Sequence, residues 1–154
     1  MTTSSSAHQQ AAIQRLQAAM NEHDLEAFLA CFDPEYRSEQ PAHPDRAFGG
    51  VEQVRKNWSK IFGGIPDFRA ELLRHTVDGD THWAEWRWFG TQPDGVRMEL
   101  RGVTLFGVEQ DRIAWGRLYM EPVKEQGAGI DEAVDEMTAS ARASSHPQEK
   151  GARS

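Results

Sequence analysis

The sequence has little that marks a secreted, membrane or nucleic-acid-binding protein. It contains one cysteine, Cys31, which excludes a disulfide or a cysteine-based metal site within a single chain. No apolar run approaches the roughly 18 residues of a membrane-spanning helix, and the N-terminus lacks a basic start followed by an apolar stretch. The net charge of -7, without a cluster of Lys or Arg, argues against nucleic acid as a partner. We therefore expect a soluble, cytoplasmic protein with neither nucleic-acid nor membrane partners.

Metal-binding motifs are also missing. His75 and His82 fall on neighbouring predicted strands, but no H-x-H, HExxH or facial-triad spacing joins them to a third ligand. Two histidines alone do not make a metal site. We expect no metal and no other cofactor.

The most regular pattern in the sequence is found in residues 81–122. They predict three antiparallel strands, 81–91, 96–109 and 112–122, which are separated by short turns rich in Pro, Asp and Gly. Alternate residues of a strand face opposite sides. One parity is almost uncharged: Ala84, Trp86, Trp88, Met98, Leu100, Gly102, Thr104, Leu118 and Met120. The other has charges of both signs: Glu85, Arg87, Glu99, Arg101, Arg117, Tyr119 and Glu121. We expect the first face to cover the core and the second to meet water or another subunit.

Three helices are predicted before these strands from apolar residues at helical spacing. They run from about residue 8 to 21, from 25 to 32 behind an N-cap at Asp24, and from 51 to 62. A short strand at 35–40, a loop at 41–50 and a strand at 68–77 complete one α+β domain of residues 8–139. Residues 1–7 and 140–154 are predicted to be disordered tails.

Several segments, in this order, resemble the SnoaL-like branch of the nuclear transport factor 2 and ketosteroid isomerase superfamily. They are the helix at 24–32 with Asp33-Pro34 after it, the sequence FGGVEQV at 48–54, Ile65-Pro66-Asp67, Glu85-Trp86, and RLYME at 117–121. The resemblance covers about residues 8–122. It implies a cone in which three N-terminal helices pack on a strongly curved antiparallel sheet around an apolar cavity. It also implies a homodimer through the convex face of the sheet, where charges of mixed sign can complement a two-fold copy.

The chain also resembles the limonene epoxide hydrolases in outline, although their catalytic residues are missing. Counting from Asp33 and Pro41 places that catalytic set at positions 37, 39, 86, 88 and 118, or 117 if a bulge shifts the register. This chain has Arg, Glu, Trp, Trp and Leu there, with Arg at 117. We therefore exclude epoxide hydrolysis by that mechanism.

The remaining candidates for proton transfer lie in the strand at 35–40 and the loop after it. Glu39 is a candidate general base if it faces the cavity, with Arg37 tuning it or anchoring an anionic group. The opposite parity, residues 36, 38 and 40, fits the same strand and would leave Arg37 and Glu39 as a solvated ion pair. His43, in the predicted mouth loop, is the second choice for proton transfer.

The residues predicted to contact a small hydrophobic ligand are Tyr36, Trp58, Phe62, Trp86, Trp88, Met98, Leu100, Leu118 and Met120. Such bulky residues either fill a core or form a slot that stacks a planar ligand. Two functions stay open. One is a cofactor-independent isomerase, cyclase or hydrolase that acts on a hydrophobic carbonyl, polyketide or terpenoid-like substrate by general acid/base catalysis. The other is a non-catalytic protein that binds a hydrophobic ligand or serves in assembly, which a pocket without a carboxylate would favour.

Overall fold

The computed structural model describes the backbone of residues 2–145 and the side chains of residues 11–139. The chain divides into two compact units, Met1–Val123 and Lys124–Ser154. The predicted domain of residues 8–139 therefore includes parts of both units. Residues 146–154 of the predicted C-terminal tail lie outside the described part. Among the helices described, none has the length and apolar character that crossing a membrane requires.

The first unit contains three helices and six strands. In chain order they are α1 (Thr2–Glu22), α2 (Leu25–Ala30), β1 (Phe32–Glu39), a 3-10 turn (Pro44–Arg46), β2 (Phe48–Gly49), α3 (Val51–Gly64), β3 (Arg69–Asp78), β4 (Thr81–Thr91), β5 (Arg97–Glu109) and β6 (Arg112–Pro122). The second unit contains α4 (Ile130–Ser145). The long strands β4, β5 and β6 lie within one residue of their predicted bounds.

The six strands form one curved sheet in the order β2-β1-β6-β5-β4-β3. Strands β3 to β6 are antiparallel neighbours, as predicted. Strand β1, however, runs parallel to β6, with Ser38 beside Gly116, so the sheet is mixed and the wholly antiparallel prediction is wrong. Antiparallel neighbours are joined by turns that the sequence reveals, whereas a parallel pair needs a long crossover without a local pattern.

The predicted order of three helices followed by the sheet also needs correction. Two helices precede β1, and α3 lies between β2 and β3. The N-cap of α2 is Asp24, as predicted, and its Oδ1 accepts a hydrogen bond from the backbone N–H of Ala27 at 3.1 Å. Helix α2 ends at Ala30, so Asp33 and Pro34, which were expected to stop it, already belong to β1. Helix α1 begins at Thr2 rather than near residue 8.

The predicted faces of the long strands are confirmed. Trp86 is fully buried and Trp88 is 8% exposed, and both contribute to the core. Leu100 and Leu118 are partly buried against the same core. On the opposite face, the side chain of Arg101 is 58% exposed. Arg87 and Arg117 share that face, where they form ion pairs.

Aromatic contacts connect the helices to the inner face of the sheet. The ring of Phe28 in α2 lies 4.5 Å from that of Trp58 in α3, centroid to centroid. Trp58 in turn lies 5.7 Å from Trp88 in β4, edge to face. Aromatic pairs in this geometry contribute about 0.5–1.5 kcal/mol each beyond their buried area. The cluster therefore fixes α2 and α3 against β4.

The outer face has cross-strand ion pairs between its charges of mixed sign. Glu99 accepts hydrogen bonds from Arg87 Nε at 2.8 Å and from Arg101 Nε at 3.1 Å. Arg87 Nη1 also reaches Glu71 at 3.2 Å, so the network spans β3, β4 and β5. Trp83, on the same face, is 44% exposed. The outer surface of the sheet thus combines paired charges with exposed aromatic area.

Candidate binding cavity

A cavity of about 180 Å³ lies between the inner face of the sheet and the helices. It is lined by Leu16, Met20, Phe28, Phe32, Tyr36, Ser38, Gln40, Phe48, Val54, Asn57, Trp58, Ile61, Trp88, Phe106 and Leu118. None of these described side chains is Asp, Glu, His, Lys or Arg, and Tyr36 is the one titratable group among them. For scale, an apolar cavity of about 150 Å³ holds a benzene molecule. The volume therefore admits a molecule of about one ring.

Strand β1 turns its uncharged parity toward this cavity. Tyr36 is 3% exposed and Ser38 is 4% exposed, whereas Arg37 and Glu39 are exposed on the other side. The aromatic ring of Tyr36 packs edge to face on Phe32 at 4.8 Å. Burial of a phenol ring is favourable, while burial of two charged groups would require their desolvation.

Glu39 and Arg37 therefore do not have the position that their predicted catalytic roles require. The Glu39 carboxylate lies 3.4 Å from Arg117 Nε, and both side chains are more than half exposed. Arg37 is paired in register with Trp115 of β6, on the outer side of the strand. The alternative parity for this strand is the observed one.

His43 lies in the loop between β1 and β2, outside the described cavity wall. Its Nε2 is 2.8 Å from the Glu121 carboxylate at the end of β6, and the two side chains are 36% and 54% exposed. The residues at either end of this loop, Gln40 and Phe48, do line the cavity. The ion pair thus holds the loop against β6 beside the cavity, and His43 itself does not line the cavity.

The phenol of Tyr36 is held in a restricted space. Burial raises the pKa of Tyr36 to about 12, and a hydrogen bond with Ser38 opposes this shift more weakly. The hydroxyl lies against Gly116 of β6, where an added Cβ would clash with the Tyr36 oxygen and would lie 2.9 Å from the ring of Phe106. Gly116 therefore makes room for the hydroxyl, and the phenol keeps its proton at neutral pH.

Three further polar groups belong to the wall. Gln40 Oε1 accepts a hydrogen bond from Arg46 Nη1 at 3.0 Å. Asn57 Oδ1 accepts one from Gln53 Nε2 at 2.9 Å. The indole N–H of Trp88 is buried and has no partner among the described residues. These groups give an otherwise apolar cavity a limited set of neutral polar contacts.

The structure brings four of the predicted ligand-contact residues together in the wall: Tyr36, Trp58, Trp88 and Leu118. The other five, Phe62, Trp86, Met98, Leu100 and Met120, belong to the hydrophobic core or pack against it without lining the cavity. Trp86 is typical of them, because its Nε1 donates to Thr104 Oγ1 at 2.8 Å within the core. A bulky residue on the inner face is thus as often a core residue as a wall residue.

The other eleven wall residues were not predicted as ligand contacts, and Asn57 and Phe106 show the signals that could have identified some of them. Asn57 lies three residues after Val54 and four before Ile61, which places a polar group on the apolar side of α3. Phe106 continues the parity of Thr104 along β5. Asn57 could have been recognised as a polar exception in the apolar helical pattern. Phe106 could have been predicted by extending the uncharged parity of β5 by two residues beyond Thr104.

The positions that an epoxide hydrolase would use for its acids also lie near the cavity. Trp88 and Leu118, at two of them, form part of the wall. Counting from Asp33 and Pro41 placed two further catalytic positions at Arg37 and Glu39. The side chains that face inward are each one residue earlier, at Tyr36 and Ser38. No acid of that catalytic set is present in the described wall.

His75 and His82 form a separate pair on the β3–β4 hairpin. His75 Nε2 lies 3.0 Å from His82 Nδ1. His82 is fully buried; desolvation, with His75 close by, lowers the pKa of His82 to about 4. In the described part of the chain, no group of three or more potential ligands is placed to hold a metal ion. His82 is thus a buried, neutral imidazole that is hydrogen-bonded to the partly exposed His75.

Comparison with known proteins gives a family match and several similar folds. A family model described as a SnoaL-like domain matches residues 13–115. No curated protein sequence matches the chain. An LEH-like epoxide hydrolase from M. tuberculosis is 16% identical, with a TM-score of 0.67 over 76% of this chain and 85% of its own.

Two further solved structures are similar. A SnoaL-like protein from Jannaschia sp. CCS1 is 21% identical, with a TM-score of 0.65 over 87% of this chain and 92% of its own. A protein with a ketosteroid isomerase-like fold from Catenulispora acidiphila, in complex with trimethylamine, is 15% identical, with a TM-score of 0.61 over 69% of this chain and 82% of its own. At these identities the similarity is one of fold.

Proposed function

The chain belongs to the SnoaL-like domain family of the nuclear transport factor 2-like superfamily, and we propose that it binds a small neutral molecule of about one ring in its cavity. Binding, rather than proton transfer, is the function that the geometry supports best. This is the second of the two functions that the sequence left open.

One observation carries the proposal: the described wall has neutral polar groups but no carboxylate, imidazole or amine. General acid/base catalysis near pH 7 needs a group that can exchange a proton there and reach the substrate. Tyr36, with a pKa of about 12, retains its proton and serves as a hydrogen-bonding group. Glu39 and His43 lie outside the wall.

The volume of the cavity limits the size of the ligand. Pockets for drug-sized molecules have volumes of about 300–1,000 Å³, and this cavity has about 180 Å³. A polycyclic polyketide would require the walls to move apart. By comparison with benzene in about 150 Å³, a ring of about six or seven heavy atoms fits without such a change.

A small alkylammonium ion is the second candidate. The fold neighbour from Catenulispora acidiphila was crystallised with trimethylamine, and the wall of this cavity contains aromatic rings such as Trp58 and Trp88. Ring faces attract cations, most strongly where water is excluded. A parallel titration with trimethylammonium chloride tests this candidate.

The test is a titration with cyclohexanone, followed by tryptophan fluorescence and by calorimetry. We expect saturable binding that Leu118→Phe weakens, because the larger side chain reduces the cavity. The matched control is Leu100→Phe, which makes the same change on the inner face outside the wall. No binding, or equal weakening by both variants, would contradict the proposal.

Catalysis has its own measurement on the same ligand. In D₂O a general base would accelerate exchange of the protons next to the ketone, and proton NMR follows that exchange directly. We expect the rate with protein to equal the rate in buffer. A protein-dependent acceleration that Leu118→Phe abolishes would identify an enzyme instead.

We also propose that the chain forms a homodimer through the outer face of the sheet. The paired charges around Arg87 and Glu99 leave few uncompensated ions to desolvate there. On the same face, Trp83 and Tyr119 expose 44% and 42% of their surface. Exposed aromatic area together with polar groups that are already paired is typical of protein interfaces.

A further inference from the structure

We propose that the cavity selects molecules with a hydrogen-bond acceptor, which the indole N–H of Trp88 and the amide N–H of Gln40 recognise. The inference rests on the proposed binding function and defines its ligand more narrowly. It concerns which polar groups of the wall can donate a hydrogen bond to the ligand.

Trp88 provides the first donor. The residue forms part of the cavity wall and is 8% exposed, and its Nε1–H is buried without an acceptor among the described residues. Its ring is held by Trp58 at 5.7 Å and Trp86 at 6.2 Å between centroids. A buried N–H group without a partner is unfavourable and uncommon. The nitrogen is closed to solvent and to the cavity, so a ligand oxygen would supply the missing acceptor after a local shift of the indole or its neighbours.

Gln40 provides the second donor, and its orientation follows from Arg46. A guanidinium group has donors only, so the Gln40 atom that Arg46 Nη1 contacts at 3.0 Å is the amide oxygen. That oxygen is therefore already occupied from outside the wall. That bond uses one of the two lone pairs of the oxygen, and the two amide N–H groups are the donors that Gln40 can offer a ligand.

The other polar groups of the wall are compatible with an acceptor on the ligand. The hydroxyls of Tyr36 and Ser38 are hydrogen-bonded to each other, so one of their two O–H groups can still donate to a ligand. Asn57 has its oxygen occupied by Gln53 at 2.9 Å. No described wall residue has a negative charge that could balance an ammonium ion. Donors without a counter-charge favour a ketone or an ether over an alkylammonium ion.

The test compares two ligands of the same shape, cyclohexanone and methylenecyclohexane, in which C=O replaces C=CH₂. We expect the ketone to bind the full-length protein about tenfold more tightly, the effect of one satisfied buried donor. In protein labelled with ¹⁵N at tryptophan, one indole N–H resonance should move downfield with the ketone and not with the alkene. Trp88→Phe identifies that resonance.

Variants separate the donor from the ring that bears it. In Trp88→Phe the ratio of ketone affinity to alkene affinity should fall toward one, because the smaller ring changes the fit of both ligands alike while only the ketone loses a donor. The control is Trp86→Phe, which removes an indole N–H already bonded to Thr104. The preference should survive in that control. Gln40→Leu should reduce the preference in the same direction as Trp88→Phe.

The outcomes distinguish this inference from the function on which it rests. Equal affinity for ketone and alkene overturns the inference and leaves the binding function standing. Binding of neither ligand overturns the function itself. A preference that persists in both Trp88→Phe and Gln40→Leu contradicts the assignment of these donors, and tighter binding of trimethylammonium would replace it with a cation site.

Discussion

Acidification should destabilise the protein through one buried histidine, His82. Its folded-state pKa is about 4, against an ordinary value of 6.5. Between these two values the unfolded chain binds a proton that the folded chain does not. Because the folded-state pKa is lowered, the stability is fully present above about pH 6.5 and is lost as the pH falls toward 4.

The size of the effect follows from the shift. Each pH unit within this window costs about 1.4 kcal/mol of unfolding free energy. From pH 6.5 to pH 5 the loss due to His82 is therefore about 2 kcal/mol. Burial also lowers the pKa of His75, its hydrogen-bond partner, so His75 acts in the same direction. Asp80 opposes the shift of His82 more weakly.

Urea unfolding of the full-length protein, followed by tryptophan fluorescence at about pH 7.5, 6 and 5, measures this loss. In His82→Phe the group cannot titrate, so that contribution should disappear. The control is Thr104→Val, which leaves the Trp86 indole N–H unpaired. That variant should lose about 1–3 kcal/mol by a similar amount at each pH. If wild type and His82→Phe lose stability equally on acidification, the buried neutral histidine is refuted.

Three further predictions concern the cavity wall, the rejected catalytic residue and the outer face. Gly116→Ala should destabilise the fold by about 1–3 kcal/mol in urea unfolding, because the new methyl group meets the Tyr36 hydroxyl. Gly63→Ala, where the added Cβ meets nothing within 4 Å, should be neutral or stabilising; equal effects would contradict the crowding. Glu39→Gln should leave cyclohexanone affinity unchanged, since its carboxylate lies outside the wall, and a large loss in calorimetry would contradict that position. Light scattering should give twice the 17.4 kDa of one chain, and Trp83→Asp should give monomers; a wild-type monomer at micromolar concentration would oppose the dimer.

Local pattern was sufficient for the long strands and for the faces they present. Turn residues mark the ends of β4 and β5, and alternation along the strands separates Trp86 and Trp88 from Arg87. The Asp24 N-cap was predicted in the same way, since its side chain bonds a backbone N–H three residues away. Each of these features depends on neighbours in sequence or on period alone, so the amino-acid order by itself determines them.

The tertiary structure decided which way β1 faces and what remains empty beneath it. The strand pairs with β6, distant in sequence, and the register shifts between Phe32 and Arg37. A one-residue change in pairing would move every side chain of a strand to the other face, so the pairing with β6 decides that Tyr36 and Ser38 lie inside and Glu39 outside. Cavity volume depends likewise on how side chains from α3 and the sheet meet. Large aromatic residues are needed both to fill a core and to line a cavity, so composition cannot separate the two.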